Sequence, residues 1–318
     1  MDRILIVNHK ERHCGIHQYG EDIYSALKKS KKYDFQYVEC SNEQEFRRTF
    51  FRSPIPKAVI YNYYPATMPW LTWDITRDYA INTQSQVKHL GIMHEVTQED
   101  ADQANQSLFD YWLCPDPTLH PNEVCLKTKR LIPKYVNSLP LPEIPTIGSF
   151  GFGFADKGFE RIVTTVQEEF DEAIIKFLMP ANPLVGIKYS AHNPMDTAKR
   201  CRKILKKTGI KLDISHQFLD KKGVLDFLAG NTINCFFYDV RKNKGISSVV
   251  DYALAAQRTI ALTRCGMFRH MFDADIFIED HTLPEIISHG TVPLQPYCDS
   301  WSEEAFIEDY ERILSEVI

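Results

Sequence analysis

No C-x-x-C pair occurs in this 318-residue chain. That absence argues against a zinc ribbon and against a thioredoxin-type redox motif. The eight cysteines are Cys14, Cys40, Cys114, Cys125, Cys201, Cys235, Cys265 and Cys298. Several lie in apolar runs such as "TINCFFYDV", where free thiols are commonly buried, so a reducing compartment is expected. Long hydrophobic runs are missing too. The opening "MDRILIVNHK" turns polar after a short apolar stretch, and neither a signal peptide nor a membrane span is expected there. A dinucleotide fingerprint G-x-G-x-x-G is absent, as are internal repeats and low-complexity tracts. Nor is there a surplus of positive charge. Lys and Arg number 37 against 42 Asp and Glu, a net charge of −5 with the histidines neutral. Wholesale nucleic-acid binding is not indicated, although a local basic face is compatible with that balance.

What is present is an ordinary globular composition, 44% hydrophobic and 25% charged, in a chain long enough for two domains. The first half alternates short apolar runs with amphipathic segments. "RILIVNH", "DFQYVEC", "AVIYNYY", "HLGIMHE" and "DYWLCPD" read as strands, and Ile16, Tyr19, Ile23 and Leu27 fall on one helical face. "NSLPLPEIPTIGS" carries Pro140, Pro142 and Pro145 and reads as a linker. Beyond it the alternation restarts with "TIGSFGF", a helix from Lys157, "AIIKFLMP", a helix over residues 194–207, "KLDISHQF", a helix over 221–228, "TINCFFYDV", a helix from Gly245, "TIALT" and "IFIED". Strands apolar on both faces and separated by helices indicate parallel sheets covered on both sides. The expected fold is α/β: two doubly wound Rossmann-like domains, residues 1–143 and 144–301, facing a cleft where ligands sit. The acidic amphipathic helix over 302–318 closes the chain.

Four stretches carry candidate chemistry. In "NKGISSVVDYALAA" a helix is expected to open on the amides of Gly245, Ile246, Ser247 and Ser248. Such amides and the helix dipole attract phosphate. Lys244 precedes them, and Asp251 follows one turn later on the face of Ser247 and Ser248, placed to accept ribose hydroxyls. "GSFGFGFADKGFERIV" surrounds Lys157 with Gly148, Gly151, Gly153 and Gly158, where a backbone can approach phosphate and an ammonium can add charge. "GIMHEV" puts His94 and Glu95 at the end of a strand, the cleft side of an open sheet. "CGIHQYGEDIYSAL" brings Gly15 and Ile16 to the turn after the first strand, as either a ligand loop or a plain helix start. The basic run "AKRCRKILKKTGIK", residues 198–211, reads first as a solvated helix face and second as a contact for an anionic partner. The D-x-D at Asp273–Asp275 is too short a pattern to weigh.

These stretches together resemble retaining glycosyltransferases of the GT-B fold, in the glycogen-synthase and mannosyltransferase group called family four. "CGIHQYGEDIYSAL" is similar to that family's first-domain glycine loop. Lys157 and Gly158 match the end of its G-R-x-x-x-x-K-G segment, and "NKGISSVVDYALAA" is similar to its E-x-F-G-x-x-x-x-E-A-x-A segment. The resemblance implies that Lys157 and the amides of Gly245, Ile246 and Ser247 contact a donor diphosphate. It further implies that Asp251 holds the ribose, that His94 meets the transferred sugar near its anomeric carbon, and that the last helix crosses back onto the first domain. Gly151 stands where the family has Arg, and Asn243 where it has its first Glu.

The expected function is transfer of a sugar, with retention, from a nucleotide-diphosphate sugar, uridine-based, with no metal and no further cofactor. Candidate catalytic residues are His94, Glu95 and Lys157. Donor-binding candidates are Gly15, Ile16, Gly153, Lys157, Lys244, Gly245, Ile246, Ser247, Ser248 and Asp251. The acceptor is either a glycan or lipid-linked saccharide, or a hydroxymethylated base in DNA as in bacteriophage enzymes. The expected setting is the cytoplasm, with the membrane surface or an infected host cell as variants. The departures at Gly151 and Asn243 motivate a rival reading, a sugar-nucleotide-binding protein without turnover.

Overall fold

The computed structural model describes residues 1–12, 14–82, 87–181, 193–240 and 244–318. The chain forms two compact units. One comprises Met1–Leu131, Asn243–Gly245 and Ser300–Ile318, the other Ile132–Lys242 and Ile246–Asp299. Asn243, the residue at the family's first Glu, lies outside the described residues. Among the described residues no helix is long and apolar enough to cross a membrane.

The first unit runs β1 (Asp2–Asn8), α1 (Gly15–Leu27), β2 (Tyr33–Glu39), α2 (Glu43–Phe50), β3 (Ala58–Tyr61), α3 (Trp73–Thr76), α4 (Tyr79–Asn82), β4 (Lys88–Ile92), α5 (Gln98–Gln103), β5 (Tyr111–Cys114) and β6 (Cys125–Lys127). The strands form one sheet in the order β2-β1-β3-β4-β5-β6, and every pairing is parallel. β1 is buried from Arg3 to Asn8 on both faces, which is why its sequence runs apolar without alternation. Ile4 and Ile6 meet Ile23, Ala26 and Leu27 of α1 on one side, while Leu5 and Val7 meet Phe46 and Phe50 of α2 on the other.

The second unit runs β7 (Thr146–Phe150), a 3-10 turn over Ala155–Lys157, α6 (Phe159–Glu169), β8 (Ala173–Leu178), α7 (Pro194–Ile204), β9 (Ile210–Ser215), α8 (Lys221–Ala229), β10 (Ile233–Phe236), α9 (Val249–Ala255), β11 (Thr259–Leu262) and α10 (Leu283–His289). Its sheet has the order β11-β10-β7-β8-β9, again parallel throughout. Phe159, Ile162, Val163 and Val166 of α6 pack on Ile175 and Phe177 of β8. α7 starts cleanly because Asn193 accepts the Met195 N–H at 2.9 Å and Pro194 occupies the first turn, where it loses no hydrogen bond.

A short helix, α11 (Gln295–Ser300), leads to α12 (Glu303–Val317). Ser302 caps α12, and Phe306, Tyr310, Ile313, Leu314 and Val317 join the core built on Ile4, Ile6 and Leu27. Asp309 accepts the Lys129 N–H at 2.9 Å, and the Ser30 hydroxyl donates to Glu311 at 2.5 Å. The last helix is thus part of the first unit, as the resemblance implies.

Two expectations are corrected, and one strand went unread. "IFIED" is no strand: only an isolated parallel bridge joins Phe277 to Leu262. β6, three residues long, went unread because so short a run has no period. The Pro-rich segment is docked on the second unit, so the units divide at Leu131 and Ile132 and not at 143. Prolines donate nothing, but their carbonyls accept. The Arg258 guanidinium donates to Leu139 O at 2.6 Å and to Pro140 O at 3.1 Å, and the Asn137 side chain donates to Ala256 O at 2.9 Å.

Candidate functional site

In an open parallel sheet, ligands gather outside the carboxyl ends of the strands where the strand order reverses. In the first sheet that reversal lies between β1 and β3, and the residues at those two strand ends are Asn8 and Asn62. Asn62 Nδ2 donates to Asn8 Oδ1 at 2.9 Å and to Ile16 O at 2.6 Å. Asn8 Nδ2 in turn donates to His17 O and to the Tyr37 hydroxyl, each at 2.9 Å. Gly20 permits the arrangement, since a Cβ there would stand 2.5 Å from Asn8 Nδ2 and 2.6 Å from Asn62 Nδ2.

His94 hangs on this network. Its Nε2 lies 2.8 Å from Asn62 Oδ1, and both Asn62 amide protons point elsewhere, so Nε2 carries the proton and Nδ1 is left as an acceptor. Burial, reinforced by nearby His9, lowers the His94 pKa to about 4. His94 is therefore a neutral imidazole at neutral pH. His9 is likewise lowered to about 4 by burial and by His17, and its Nδ1 accepts the Glu11 N–H. The buried His9 Nε2 has no hydrogen-bond partner among the described residues. Glu95 follows with φ +53, an uncommon value for a residue with a side chain, and its carboxylate is exposed. Gly15, the first residue of α1, is exposed and has no atom within 4 Å of where a Cβ would be, so no packing demands a glycine there.

The second sheet reverses order between β7 and β10. Gly151 and Lys157 follow β7, and Tyr238 follows β10. Lys157 Nζ sits over the Tyr238 ring, 3.8 Å from its centroid, a cation–π contact that holds the ammonium at the strand ends. The Tyr238 ring rests on Phe268, and the Tyr238 hydroxyl is buried without a hydrogen-bond partner among the described residues. Gly151 has φ +142, a region that an arginine at this position could adopt only with strain. Gly153 has a packing role: a Cβ there would stand 2.6 Å from Pro194 Cα, and its carbonyl accepts from the Thr197 hydroxyl at 2.7 Å. Close approach to α7, rather than to a ligand, accounts for that glycine.

The segment 244–251 departs from its sequence reading in two ways. The helix opens at Val249, not Gly245, and the Ser247 N–H is taken by Met267 O at 2.9 Å. The Ser247 amide is thus engaged within the protein. Lys244 and Gly245 belong to the first unit, where Lys244 Nζ lies 3.7 Å from the Glu95 carboxylate. Gly245 is pressed on Glu95: a Cβ would fall 2.3 Å from Glu95 Cα. Ile246, Ser247 and Ser248 belong to the second unit, and Asp251 is buried on the first turn of α9. In the basic run, Lys199, Arg200 and Lys207 are paired with Asp196, Glu160 and Asp171. Arg202, Lys203, Lys206 and Lys211 stand exposed.

Sequence reasoning missed Asn8, Asn62, His9 and Tyr238. The signal was there: each is a polar-tipped residue that ends an apolar strand run. The buried histidines also make a prediction. His9, His89 and His94 all have pKa values near 4 from burial, against about 6.5 in an unfolded chain. Between those values the unfolded chain binds more protons, so stability rises with pH up to about 6.5 and is flat above about 7. The urea midpoint is expected to fall between pH 7 and pH 5. His89 lies in the core with its Nδ1 2.9 Å from the Tyr61 hydroxyl, and replacing it by Gln should flatten that slope; an unchanged slope would contradict the assignment.

No family model matches the sequence, and no curated protein matches it. Solved structures do match, over the whole chain. The Anabaena protein Alr3699/HepE in complex with UDP has a TM-score of 0.63 at 8% identity, with 99% of this chain and 100% of that one covered. A trehalose-6-phosphate synthase, studied for glycosyltransfer with retention, has a TM-score of 0.61 at 10% identity, with 100% of both chains covered. An alpha-glucosyltransferase in complex with UDP-glucose and DNA containing an abasic site has a TM-score of 0.54 at 9% identity, with 100% of this chain and 99% of that one covered. At such identities the likeness is one of fold: the chain has the GT-B fold of these glycosyltransferases.

Proposed function

We propose that this protein is a retaining glycosyltransferase that moves a sugar from a UDP-sugar to an acceptor hydroxyl. The observation that carries the reading is Lys157 held over Tyr238 where the second sheet reverses its strand order, between Gly151 and Gly158. Breaking the bond from the anomeric carbon to the diphosphate leaves negative charge on the departing phosphate. A preorganised ammonium and backbone amides oppose that charge. In this reading Lys157, Lys244 and the amides of Gly245, Ile246 and Ser248 serve the diphosphate, with Gly15 and Ile16 on the donor side. Asp251 and Ser247 serve the ribose, His94 accepts a hydrogen bond from a sugar hydroxyl through Nδ1, and Glu95 orients the sugar or acceptor. The acceptor oxygen attacks the face the diphosphate leaves, and its proton passes to the departing phosphate. No metal or cofactor enters this scheme. UDP-bound and UDP-glucose-bound proteins among the structures of the same fold support the donor class.

For the acceptor, the first reading is a polyhydroxylated glycan, free or lipid-linked; the Asn8–Asn62 network is satisfied internally and leaves His94 Nδ1 as the group that can accept from a hydroxyl. The exposed Arg202, Lys203, Lys206 and Lys211, together with the DNA-bound protein of the same fold, support a second reading, a hydroxymethylated base in DNA. Release of UDP from UDP-glucose in the presence of candidate acceptors tests the proposal. UDP at a hundred times its Kd should add about 2.7 kcal/mol of stability. Asp251→Ala should remove most of that gain. Binding without UDP release for any acceptor would leave a sugar-nucleotide-binding protein instead. A DNA acceptor requires duplex binding that weakens steeply with salt.

A further inference from the structure

A cluster in the second unit has no part in that scheme. Asp275, His281 and His289 each present one ligand atom, and the three atoms lie within 4.8 Å of one another. His281 Nε2 is 2.5 Å from Asp275 Oδ1, and His289 Nδ1 is 3.6 Å from Asp275 Oδ2. The two imidazole rings meet edge to face with centroids 5.0 Å apart. We propose that these side chains form a binding site for one divalent transition metal of the zinc type.

The donor set fits the chemistry. Two imidazoles and one carboxylate suit zinc, cobalt or nickel, and three protein ligands leave a position for water. Ligands about 2.0–2.1 Å from a tetrahedral zinc stand roughly 3.3 Å apart. The three ligand atoms lie within 4.8 Å of one another, His281 on one Asp275 oxygen and His289 near the other, so opening the short His281–Asp275 pair and releasing His289 Nδ1 from the Asp275 carbonyl, 3.3 Å away, admits the ion. The supports are firm. Asp275 precedes Ile276 and Phe277, both buried, and the Leu262 N–H donates to Ile276 O at 3.0 Å. His281 donates its backbone N–H to Phe277 O at 3.0 Å and stands just before the Thr282–Glu285 capping box of α10. His289 ends that helix, whose Leu283 and Ile286 are fixed in the core. Glu285 is occupied with the Thr282 N–H and hydroxyl, and its charge favours a cation beside the two imidazoles. A metal here clips the segment before α10 to both ends of that helix. The second aspartate of the D-x-D therefore acquires partners that no local pattern contains.

The full chain, freed of metal with a chelator, is titrated with Co(II) and then Zn(II). One equivalent of Co(II) should give the visible d–d bands of a histidine and carboxylate site, without the near-ultraviolet charge-transfer of thiolate ligands. Zn(II) should displace it and raise the melting temperature. His281→Ala and His289→Ala should each weaken binding at least tenfold. Asp275→Asn, which preserves shape, should weaken it with an unchanged melting temperature in chelator, which separates ligation from folding. Absence of one-equivalent binding at micromolar metal overturns the proposal. Unaltered affinity in all three variants overturns it equally, as does a thiolate spectrum.

Discussion

Replacing Lys157 by alanine should slow sugar transfer by about 10²–10³-fold, the usual consequence of losing one preorganised group at a site of developing charge. The donor's Kd should change far less, because the ammonium acts most when the diphosphate gains charge. Lys157→Met keeps the aliphatic stem and drops the charge, so it should be as slow as the alanine variant. The contact with Tyr238 at 3.8 Å makes a further distinction. Tyr238→Phe keeps the ring that holds the ammonium and should retain most of the rate, whereas Tyr238→Leu should not. Single-turnover rates and donor titrations with UDP-glucose measure both quantities. A wild-type rate in Lys157→Met would remove the lysine from the proposed chemistry.

The largest loss of stability is expected from Gly158→Ala, immediately beside that lysine. Gly158 has φ +69, and a Cβ there would stand 1.9 Å from the Phe237 carbonyl oxygen and 2.6 Å from its carbon. Left-handed backbone costs an ordinary residue about 1–2 kcal/mol, and an overpacked contact about 1–3 kcal/mol more. Both neighbouring atoms are backbone, so neither can rotate away. The sum is about 2–5 kcal/mol, seen as a lower urea midpoint at constant m-value. Gly15→Ala is the matching control. With nothing within 4 Å of its added Cβ and no positive φ, it should be neutral or gain about 0.4–1 kcal/mol. Equal midpoints for the two variants would refute the reading of Gly158.

Much of this architecture is legible along the chain because it rests on local rules. Strands buried on both faces, such as β1 and β3, are largely continuous apolar runs, and amphipathic helices such as α1 and α12 keep their period. Gly158 was noticed only as one of four glycines around Lys157; its left-handed backbone, φ +69, is a finding of the structure. The candidacy of Lys157 came from its place after the first strand of a doubly wound unit. What composition and period did not contain was pairing between distant segments. Asn8 with Asn62, Lys157 over Tyr238, and Asp275 with His281 and His289 are each brought together by sheet order or helix docking.

The sequence by itself therefore determined the alternation of strand and helix and the parallel sheets, since these follow from burial patterns acting over a few residues. Only the tertiary structure decided that Gly245 presses on Glu95, that the Ser247 amide is taken by Met267, and that the proline-rich segment docks on the second unit. The reason is that a hydrogen-bonding group is indifferent to sequence distance. An amide or carbonyl binds whichever partner the packed chain delivers within about 3 Å, and that delivery is a property of the whole fold.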